Sequence, residues 1–309
     1  MAHPALKTGW ARTFYPYESL LDCPSEDGNQ VTSSPSSRIA GRVLRATVDD
    51  TGRTWARVAF GGGVVGWVLR KYLRSVPDVV QLPPALRRQL RRLAAYGGIR
   101  SAVVIRDRWG RVLFREGSTK PPVPASVTKL FTVGAALERL RTPALVREIL
   151  APSNNRKAQR LLEWIGGGSN GSEARAAERF ADGIGAVVDL ADGSGLDARN
   201  RASADEVVDY LQAMRDHSRY RLFTRGLAVP GRSGTLGDRL RQPSTRGRVQ
   251  AKSGTLFYPS TSTLAGYLQP RRAASPNREL TFAMLHNGIS YHRVRRLQDR
   301  MLHLLITRR

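Results

Sequence analysis

The sequence predicts an α+β fold in which an antiparallel sheet is flanked by helices and preceded by a small β-rich module. Two observations predict it. Short alternating, β-branched segments occupy residues 42–69, and the rest of the chain has the order helix, two strands, a helical middle, three strands and a final helix. This order favours an antiparallel sheet covered by helices. We therefore expect a β-rich module over residues 1–76, a linker over 77–84 and a larger domain over 85–309.

Three strand patterns predict a β-meander in the N-terminal module. Residues 42–48 alternate in polarity, residues 55–60 alternate again after a turn at 50–52, and residues 64–69 resume the pattern after Gly61–Gly63 breaks it. Short turns between alternating segments are typical of consecutive antiparallel strands.

Two stretches lack any periodicity. Residues 24–39 are rich in Ser, Pro, Asn and Gly, which predicts a surface loop with little buried apolar area. Residues 76–84 contain Pro77, Pro83 and Pro84. We expect a linker there because proline breaks both helices and strands.

The elements of the larger domain follow from the spacing of its apolar residues. Leu86, Leu90 and Leu93 share one face of a helix, and short apolar runs bounded by turn residues predict strands. The expected elements are a helix over 85–96, a hairpin with strands over 101–106 and 111–114 around a turn at 107–110, strands over 263–268 and 280–286, and a final helix over 292–306.

The chain is strongly basic. Its 309 residues carry a formal net charge of +25, with 41% hydrophobic and 24% charged residues. A field of that sign attracts phosphate-rich or carboxylate-rich partners, such as nucleic acid, anionic lipid or an acidic cell-wall polymer. Charge alone does not choose among them, and a general compositional bias toward arginine explains it without any partner.

Composition also argues against several classes of protein. Cys23 is the only cysteine, which excludes an internal disulfide and argues against a structural zinc site. The histidines show no ligand spacing, so we expect neither a metal nor a cofactor. No apolar run reaches the roughly 18 residues of a membrane helix, and the N-terminus shows no apolar stretch of an export signal.

A candidate nucleophile stands at the start of a predicted helix. Ser126-Val-Thr-Lys129 follows Pro124-Ala125 and opens an apolar helical run. A serine and a lysine three residues apart on a helix share a face, so the amine can reach the hydroxyl. Backbone N–H groups at a helix start also favour a developing oxyanion. The same spacing is shown by a helix that merely begins with a capping serine.

Two further motifs change this interpretation. Ser153-Asn-Asn155 follows Ala151-Pro152, and Lys252-Ser-Gly-Thr255 leads into strand-like sequence. Ser-x-x-Lys, Ser-x-Asn and Lys-Ser/Thr-Gly in this order resemble penicillin-binding proteins and β-lactamases. The segments that look like low-molecular-mass class C penicillin-binding proteins are Pro124-Ala-Ser-Val-Thr-Lys-Leu-Phe-Thr132, Pro152-Ser-Asn-Asn155, Asp192-Gly-Ser-Gly-Leu196, Gly234-Thr-Leu236 and Lys252-Ser-Gly-Thr-Leu256.

This resemblance covers about residues 85–309 and implies a serine D-Ala-D-Ala carboxypeptidase with the serine transpeptidase/β-lactamase-like fold. Such an enzyme acts on peptidoglycan stem peptides through an acyl-enzyme, is inhibited by β-lactam antibiotics and is often also an endopeptidase. Residues 8–76 resemble a bacterial SH3-like domain in Trp55-Ala-Arg-Val-Ala-Phe60, Gly66-Trp-Val68 and Tyr72-Leu73. An unrelated β-hairpin subdomain is the alternative there.

The resemblance also implies catalytic roles. Ser126 is the expected nucleophile and Lys129 its base, with an amine kept neutral by burial and by the nearby charge of Lys252. Ser153 is expected to relay the proton to the leaving D-Ala, and Asn155 to hold Lys129 and the substrate amide.

Substrate binding is expected from the other motif residues. The ammonium group of Lys252 faces the terminal carboxylate, with two hydroxyls as further donors, and the backbone N–H groups of Ser126 and Thr255 form the oxyanion hole. The Gly-rich turn after residue 191 either touches the substrate or is only structural. The predicted substrate-binding residues are Lys252, Ser253, Gly254, Thr255, Asp192 and Ser194.

One departure from the family concerns spacing. Family members usually carry large inserted domains between the first two motifs, whereas Ser126 and Ser153 are 27 positions apart here. A helix over 126–140 runs out about 21 Å, and a helix over 143–150 followed by two extended residues returns by a similar length. A helical hairpin can therefore close the site, but the contacts that the inserted domains make with the peptide stem in family members are missing.

Two alternatives stay open. No equivalent of the glutamate that class A β-lactamases use for deacylation is visible, which favours a penicillin target over a β-lactamase or esterase of the same fold. A basic protein that binds anionic polymer or nucleic acid with little catalysis is the second alternative, and the intact motifs argue against it. Since the implied substrate lies outside the cytoplasmic membrane, we expect the periplasm or cell envelope, with no transmembrane segment.

Overall fold

The computed structural model describes residues 10–13, 19–21, 30–33, 40–59, 65–75, 81–98, 100–137, 139–140, 143–167, 173–215, 217–270 and 279–308. The backbone divides into two compact units. The first comprises residues 1–81 together with 108–111, and the second comprises residues 82–107 and 112–309.

The first unit contains an antiparallel sheet of seven strands in the order β3-β2-β6-β5-β4-β1-β7. Small apolar clusters lie on it, one around Val58 and Val68 and another around Trp55 and Trp67. The strands are β1 (Trp10–Thr13), β2 (Ser19–Leu21), β3 (Gln30–Ser33), β4 (Ala40–Val48), β5 (Thr54–Ala59), β6 (Val65–Leu69) and β7 (Leu73–Ser75).

Strand β3 corrects the prediction of an uninterrupted loop over residues 24–39. Thr32 pairs with Leu20 of β2, because the β-branched pair Val31-Thr32 suits a strand once a partner is available. Composition gave no sign of that partner. Residues 24–29 and 34–39 lie outside the described residues, as does the glycine run Gly61–Gly63.

The second unit contains an antiparallel sheet of five strands in the order β10-β11-β12-β8-β9. The α+β prediction with an antiparallel sheet is therefore confirmed. Strand β10 lies at one edge and β9 at the other. The strands are β8 (Ser101–Asp107), β9 (Val112–Gly117), β10 (Val249–Leu256), β11 (Thr261–Leu268) and β12 (Leu280–Asn287).

Among the described residues, eight α-helices accompany this sheet. The predicted first and last helices are present with ends shifted by one or two residues. The helices are α1 (Pro84–Ala95), α2 (Lys129–Ala136), α3 (Pro143–Leu150), α4 (Asn155–Gly166), α5 (Glu173–Gly183), α6 (Ala204–Met214), α7 (Tyr220–Gly226) and α8 (Tyr291–Arg308). Within the described part of the chain, none of them is both long and apolar enough to cross a membrane.

Helices cover both faces of the five-stranded sheet. Val104 and Leu285 belong to a large buried apolar cluster that includes residues of α2 to α6. The alternate residues Val103 and Met284 are equally buried and point to the other face, and α1 and α8 also pack against the sheet. The central strands β8, β11 and β12 are consequently buried along their whole length.

The short connection between the first two motifs is a helical hairpin. The predicted outgoing helix over 126–140 is shorter than expected, with a 3₁₀ turn at Ala125–Thr128 and α2 ending at Ala136. The return helix α3 has the predicted bounds, Pro143–Leu150. Tyr210 of α6 buttresses α2, since its hydroxyl donates to the Leu130 carbonyl at 3.1 Å.

Candidate active site

Ser126 lies in the 3₁₀ turn that runs directly into α2. The preceding residue, Ala125, has a φ of 49°, a left-handed conformation that strains a residue with a Cβ atom. Two glycines make room for the turn: a Cβ on Gly195 would lie 2.0 Å from the Ala125 carbonyl oxygen, and one on Gly254 would lie 2.8 Å from the Ser126 nitrogen. The turn is therefore held between a loop and strand β10.

Side chains from the sheet anchor the residues before this turn. The Thr263 hydroxyl of β11 donates to the Pro124 carbonyl at 2.8 Å. Asn287 of β12 accepts a hydrogen bond from the Val123 N–H at 2.8 Å and donates one to the Val123 carbonyl at 3.1 Å. Two central strands thus fix the position of the candidate nucleophile.

The amine of Lys129 is surrounded by three oxygen atoms. The side chain is fully buried, and Nζ lies 2.9 Å from the Ser126 Oγ and 2.7 Å from the Asn155 Oδ1. It also donates to the backbone carbonyl of Ser194. The predicted approach of amine to hydroxyl is present, with partners from three separate segments.

The second motif is placed by the start of α4. Asn154 caps this helix, because its Oδ1 accepts a hydrogen bond from the Lys157 N–H at 3.0 Å. Asn155 is then the first helical residue, with its side chain on the buried amine. Ser153 has a φ of 65°, and its Oγ accepts a hydrogen bond from the Lys252 Nζ at 2.8 Å.

Strand β10, which carries the third motif, exposes backbone hydrogen-bonding groups at its open edge. Ala251 exchanges backbone hydrogen bonds of 3.1 and 3.0 Å with Ala228, so its N–H and C=O face away from β11. Because these directions alternate along an antiparallel strand, the backbone groups of Ser253 and Thr255 face the same edge. An extended peptide can pair there as an added strand.

The side chains of the third motif continue this arrangement. Lys252 is fully buried, and its Nζ donates to the Ser253 carbonyl at 2.6 Å as well as to Ser153. The Ser253 Oγ lies 2.6 Å from the Oγ1 of Thr235, a residue of the 3₁₀ turn Gly234–Leu236. The Lys252 amine therefore contacts the Ser153 loop, and the Ser253 hydroxyl contacts the turn that carries Thr235.

The Gly-rich loop after residue 191 is organised by one carboxylate. Asp192 accepts hydrogen bonds from the Ser194 hydroxyl at 2.6 Å, the Gly195 N–H at 2.7 Å and the Asn200 side chain at 2.8 Å. These bonds are internal to the loop. Their consequence for the site is the position of the Ser194 carbonyl, which accepts from the Lys129 amine.

The two lysines have perturbed pKa values. Burial lowers the pKa of Lys129 from 10.5 to about 8, against the opposing effect of the Asp192 carboxylate. Burial, and then the charge of Lys129, lower the pKa of Lys252 well below its ordinary value. Burial is thus the main cause of both shifts, and repulsion between the two amines adds to it.

The structure brings the predicted residues together around the two amines. Gly254 packs under the Ser126 nitrogen, and Thr255 lies at the open edge of β10. Asp192 does not contact either amine but holds the loop whose Ser194 carbonyl accepts from Lys129. The predicted residues within hydrogen-bond distance of a lysine Nζ are Ser126, Ser153, Asn155, Ser194 and Ser253. Among the described residues, no three His, Cys, Asp or Glu side chains are grouped as a metal site requires.

Other residues of the site were not identified from the sequence. They share a positioning role: Thr263 and Asn287 anchor the nucleophile turn, Asn200 stabilises the Gly-rich loop, and Thr235 bonds to Ser253. Asn200 lies eight residues from Asp192 and the other three lie farther along the chain from their partners. Each is an ordinary polar residue, so no motif marks it. The flanking segment that contains Thr235 was the one available signal.

Comparison with known proteins identifies the family that this chain matches. Residues 142–307, which are 166 of the 309 residues, match the model of the D-Ala-D-Ala carboxypeptidase 3 (S13) family. A D-alanyl-D-alanine carboxypeptidase from Actinomadura sp. is 35% identical over 166 residues, covering 48% of this chain and 30% of that protein. The chain therefore spans less than a third of that relative's length.

Solved structures show the same fold. A β-lactamase from Chitinophaga pinensis has a TM-score of 0.57 at 12% identity, covering 71% of this chain and 97% of that one. A variant of the class A β-lactamase of the last common ancestor of Gram-negative bacteria has a TM-score of 0.55 at 19% identity, covering 72% and 97%. Since the family match extends over more than half of its length, the chain belongs to the D-Ala-D-Ala carboxypeptidase 3 (S13) family.

Proposed function

We propose that this chain is a serine D-Ala-D-Ala carboxypeptidase that cleaves peptidoglycan stem peptides through an acyl-enzyme on Ser126. The observation that carries the proposal is the buried Lys129 amine, 2.9 Å from the Ser126 hydroxyl, with its pKa lowered to about 8. An amine that is partly neutral near pH 7 and within hydrogen-bond reach of a hydroxyl is suited to act as its general base.

The first step is acylation. The Ser126 Oγ attacks the carbonyl carbon of the penultimate D-Ala while the Lys129 Nζ takes the hydroxyl proton. Negative charge then develops on the carbonyl oxygen, and the backbone N–H groups of Ser126 and Thr255 stabilise it. The close approach of Gly254 to the Ser126 nitrogen supports this pairing, because Thr255 is the next residue of the strand.

The second step releases the terminal D-Ala. The Ser153 hydroxyl lies 2.8 Å from the Lys252 Nζ and gives its proton to the leaving amine. The proton that Lys129 took from Ser126 replaces it. The C–N bond breaks and leaves an ester between the peptide and Ser126. Attack of water on that ester releases the shortened peptide and restores the serine.

Substrate binding follows from the open edge of β10. The stem peptide pairs with the outward backbone groups of Ser253 and Thr255, and its terminal carboxylate lies near Lys252. Asn155 contacts the substrate amide on the opposite side. Asp192 and Ser194 act by positioning the loop carbonyl that accepts from Lys129. Cleavage of cross-linked peptides uses the same contacts, because the residue released there also carries a carboxylate.

The proposal extends to the location of the protein and to its first unit. The seven-stranded sheet over β1 to β7 supports an SH3-like module for the cell wall, and a net charge of +25 suits an anionic wall polymer. The protein then acts in the periplasm or cell envelope. Binding to isolated cell walls that weakens as salt is raised would support this extension.

The test is labelling with a fluorescent penicillin, followed by intact mass spectrometry. Wild type is expected to gain one penicillin per chain, Ser126→Ala none, and Ser244→Ala, a serine outside the site, one as in wild type. Release of D-Ala from an acyl-D-Ala-D-Ala peptide should depend on Ser126 in the same way. Equal labelling of Ser126→Ala would refute the proposal, and sustained nitrocefin turnover would instead identify a β-lactamase of the same fold.

A further inference from the structure

We propose that Thr235 is a substrate-binding residue that acts with Ser253 and Lys252 to select peptides with a free C-terminal carboxylate. The inference rests on the proposed function and adds a specificity determinant to it. Three observations support it: the backbone anchoring of Thr235, its hydroxyl contact, and its exposed position beside the strand that carries Lys252.

The backbone of Thr235 is anchored to the loop that carries Ser153. The Thr235 N–H donates to the Ala151 carbonyl at 3.0 Å. The neighbouring Gly234 has a φ of +60°, and a Cβ on it would lie 2.2 Å from the same carbonyl oxygen. Only glycine permits this approach, so the turn is pressed against the residues that lead to Ser153.

The same segment also runs along the open edge of β10. Ala228 pairs with Ala251 of the strand, and the chain then turns back through a bridge between Val229 and Ser233. This path brings Thr235 beside the strand two residues beyond Ala251. The result is the 2.6 Å contact between the Thr235 and Ser253 hydroxyls.

The polar groups at this point suit a carboxylate. The Lys252 Nζ lies 2.8 Å from the Ser153 Oγ, Ser253 is the next residue of the strand, and the Thr235 side chain is exposed. Before substrate binds, the hydroxyls of Ser253 and Thr235 bond to each other. Each hydroxyl carries one proton, so both can rotate and donate to the two oxygens of a carboxylate beside the lysine.

A C-terminal amide fits this arrangement poorly. It carries no negative charge, and its NH₂ group would meet hydroxyl and amine donors. A hydrogen bond from Thr235 to a charged carboxylate predicts about a tenfold to hundredfold loss of kcat/KM for the free acid when that hydroxyl is removed. The ratio of kcat/KM for acid over amide should fall by the same factor.

The experiment compares an N-acylated peptide ending in D-Ala-D-Ala with its C-terminal amide. Thr235→Val removes the hydroxyl while keeping the shape, and Thr235→Ser restores it. The matched control is Thr307→Val, at a threonine whose hydroxyl bonds to the His303 carbonyl within α8. We expect a reduced acid-to-amide ratio for Thr235→Val, recovery toward the wild-type ratio for Thr235→Ser, and no change for Thr307→Val.

The outcomes separate this inference from the proposed function. If wild type neither labels with penicillin nor cleaves the free acid, the proposed function fails and this inference fails with it. If wild type does both and Thr235→Val keeps the wild-type ratio, or loses both substrates equally, only the role of Thr235 is refuted. Melting temperatures check folding. If Thr235→Val does not fold, Thr235→Ala decides by the same ratio, and failure of both to fold would make Thr235 a structural residue.

Discussion

The pH dependence of acylation tests the reasoning about Lys129 directly. A lysine with a pKa of 10.5 has about 0.03% of its amines neutral at pH 7, whereas a pKa of about 8 makes about 10% neutral. Burial of this side chain therefore increases the available base about 300-fold at neutral pH. The rate constant for acylation by a penicillin should rise about tenfold per pH unit below pH 7 and level off above pH 9.

The assay is the second-order rate of acylation by a fluorescent penicillin between pH 5.5 and pH 10. The carboxylate of the penicillin stays ionised over this range, so the profile reports groups on the protein. Lys157→Gln is the matched control, because Lys157 is partly exposed on α4 and pairs with Glu148. This variant should keep the midpoint near pH 8.

A variant at Asp192 sharpens the test. The Asp192 carboxylate raises the pKa of Lys129 against the effect of burial, so Asp192→Asn should move the midpoint to lower pH even where loosening of the loop reduces the rate. A wild-type profile that is flat across this range, or one with a midpoint above pH 10, would contradict a buried neutral lysine as the base. The proposed acylation step would then need another proton acceptor.

Three further predictions concern packing and stability. Gly254→Ala should slow acylation about a hundredfold, because the new Cβ would lie 2.8 Å from the Ser126 nitrogen. The control Gly183→Ala should keep the wild-type rate, because its Cβ meets nothing within 4 Å. Equal acylation rates for the two variants would refute the packing argument. Asn287→Ala should lower the free energy of unfolding by about 2–4 kcal/mol in urea titrations, since it leaves the buried N–H and C=O of Val123 unpaired; a loss below about 0.5 kcal/mol would show that water replaces the side chain. Burial lowers the pKa of His286 from 6.5 to about 4, so the unfolded chain binds the proton more readily and about 3 kcal/mol of stability, present above pH 6.5, is lost as pH falls toward 4. Unfolding measured across this range should show that slope in wild type and a flatter one in His286→Leu, and an unchanged slope in the variant would assign the effect to another group.

The sequence predicted the parts of the molecule that depend on local patterns. Leu86, Leu90 and Leu93 recur at helical spacing and form the buried face of α1. The run Ala102-Val-Val-Ile105 is apolar throughout because strand β8 is buried on both faces. Hydrophobic periodicity reports on burial within one element, and burial is what decides these elements.

The sequence was less informative where a partner segment decides the structure. Strand β3 pairs with β2 through residues that composition assigned to a loop. The helix expected from Ser126 begins instead with a 3₁₀ turn, because Ala125 is held in a left-handed conformation by groups from β10, β11 and the Gly-rich loop. Neither feature has a local cause, so neither has a local signal.

For the site itself, the sequence by itself determined which chemical groups are present and in what order: a serine and a lysine three residues apart, a second serine with an amide, and a second lysine on a strand. It also indicated their family through motif spacing. Only the tertiary structure decided that Lys129 is buried and that its pKa falls to about 8. Only the structure placed Thr235 beside Ser253 and Asn287 behind the nucleophile turn. The physical reason is that desolvation and hydrogen-bond geometry depend on atoms brought together from distant segments, which no local pattern records.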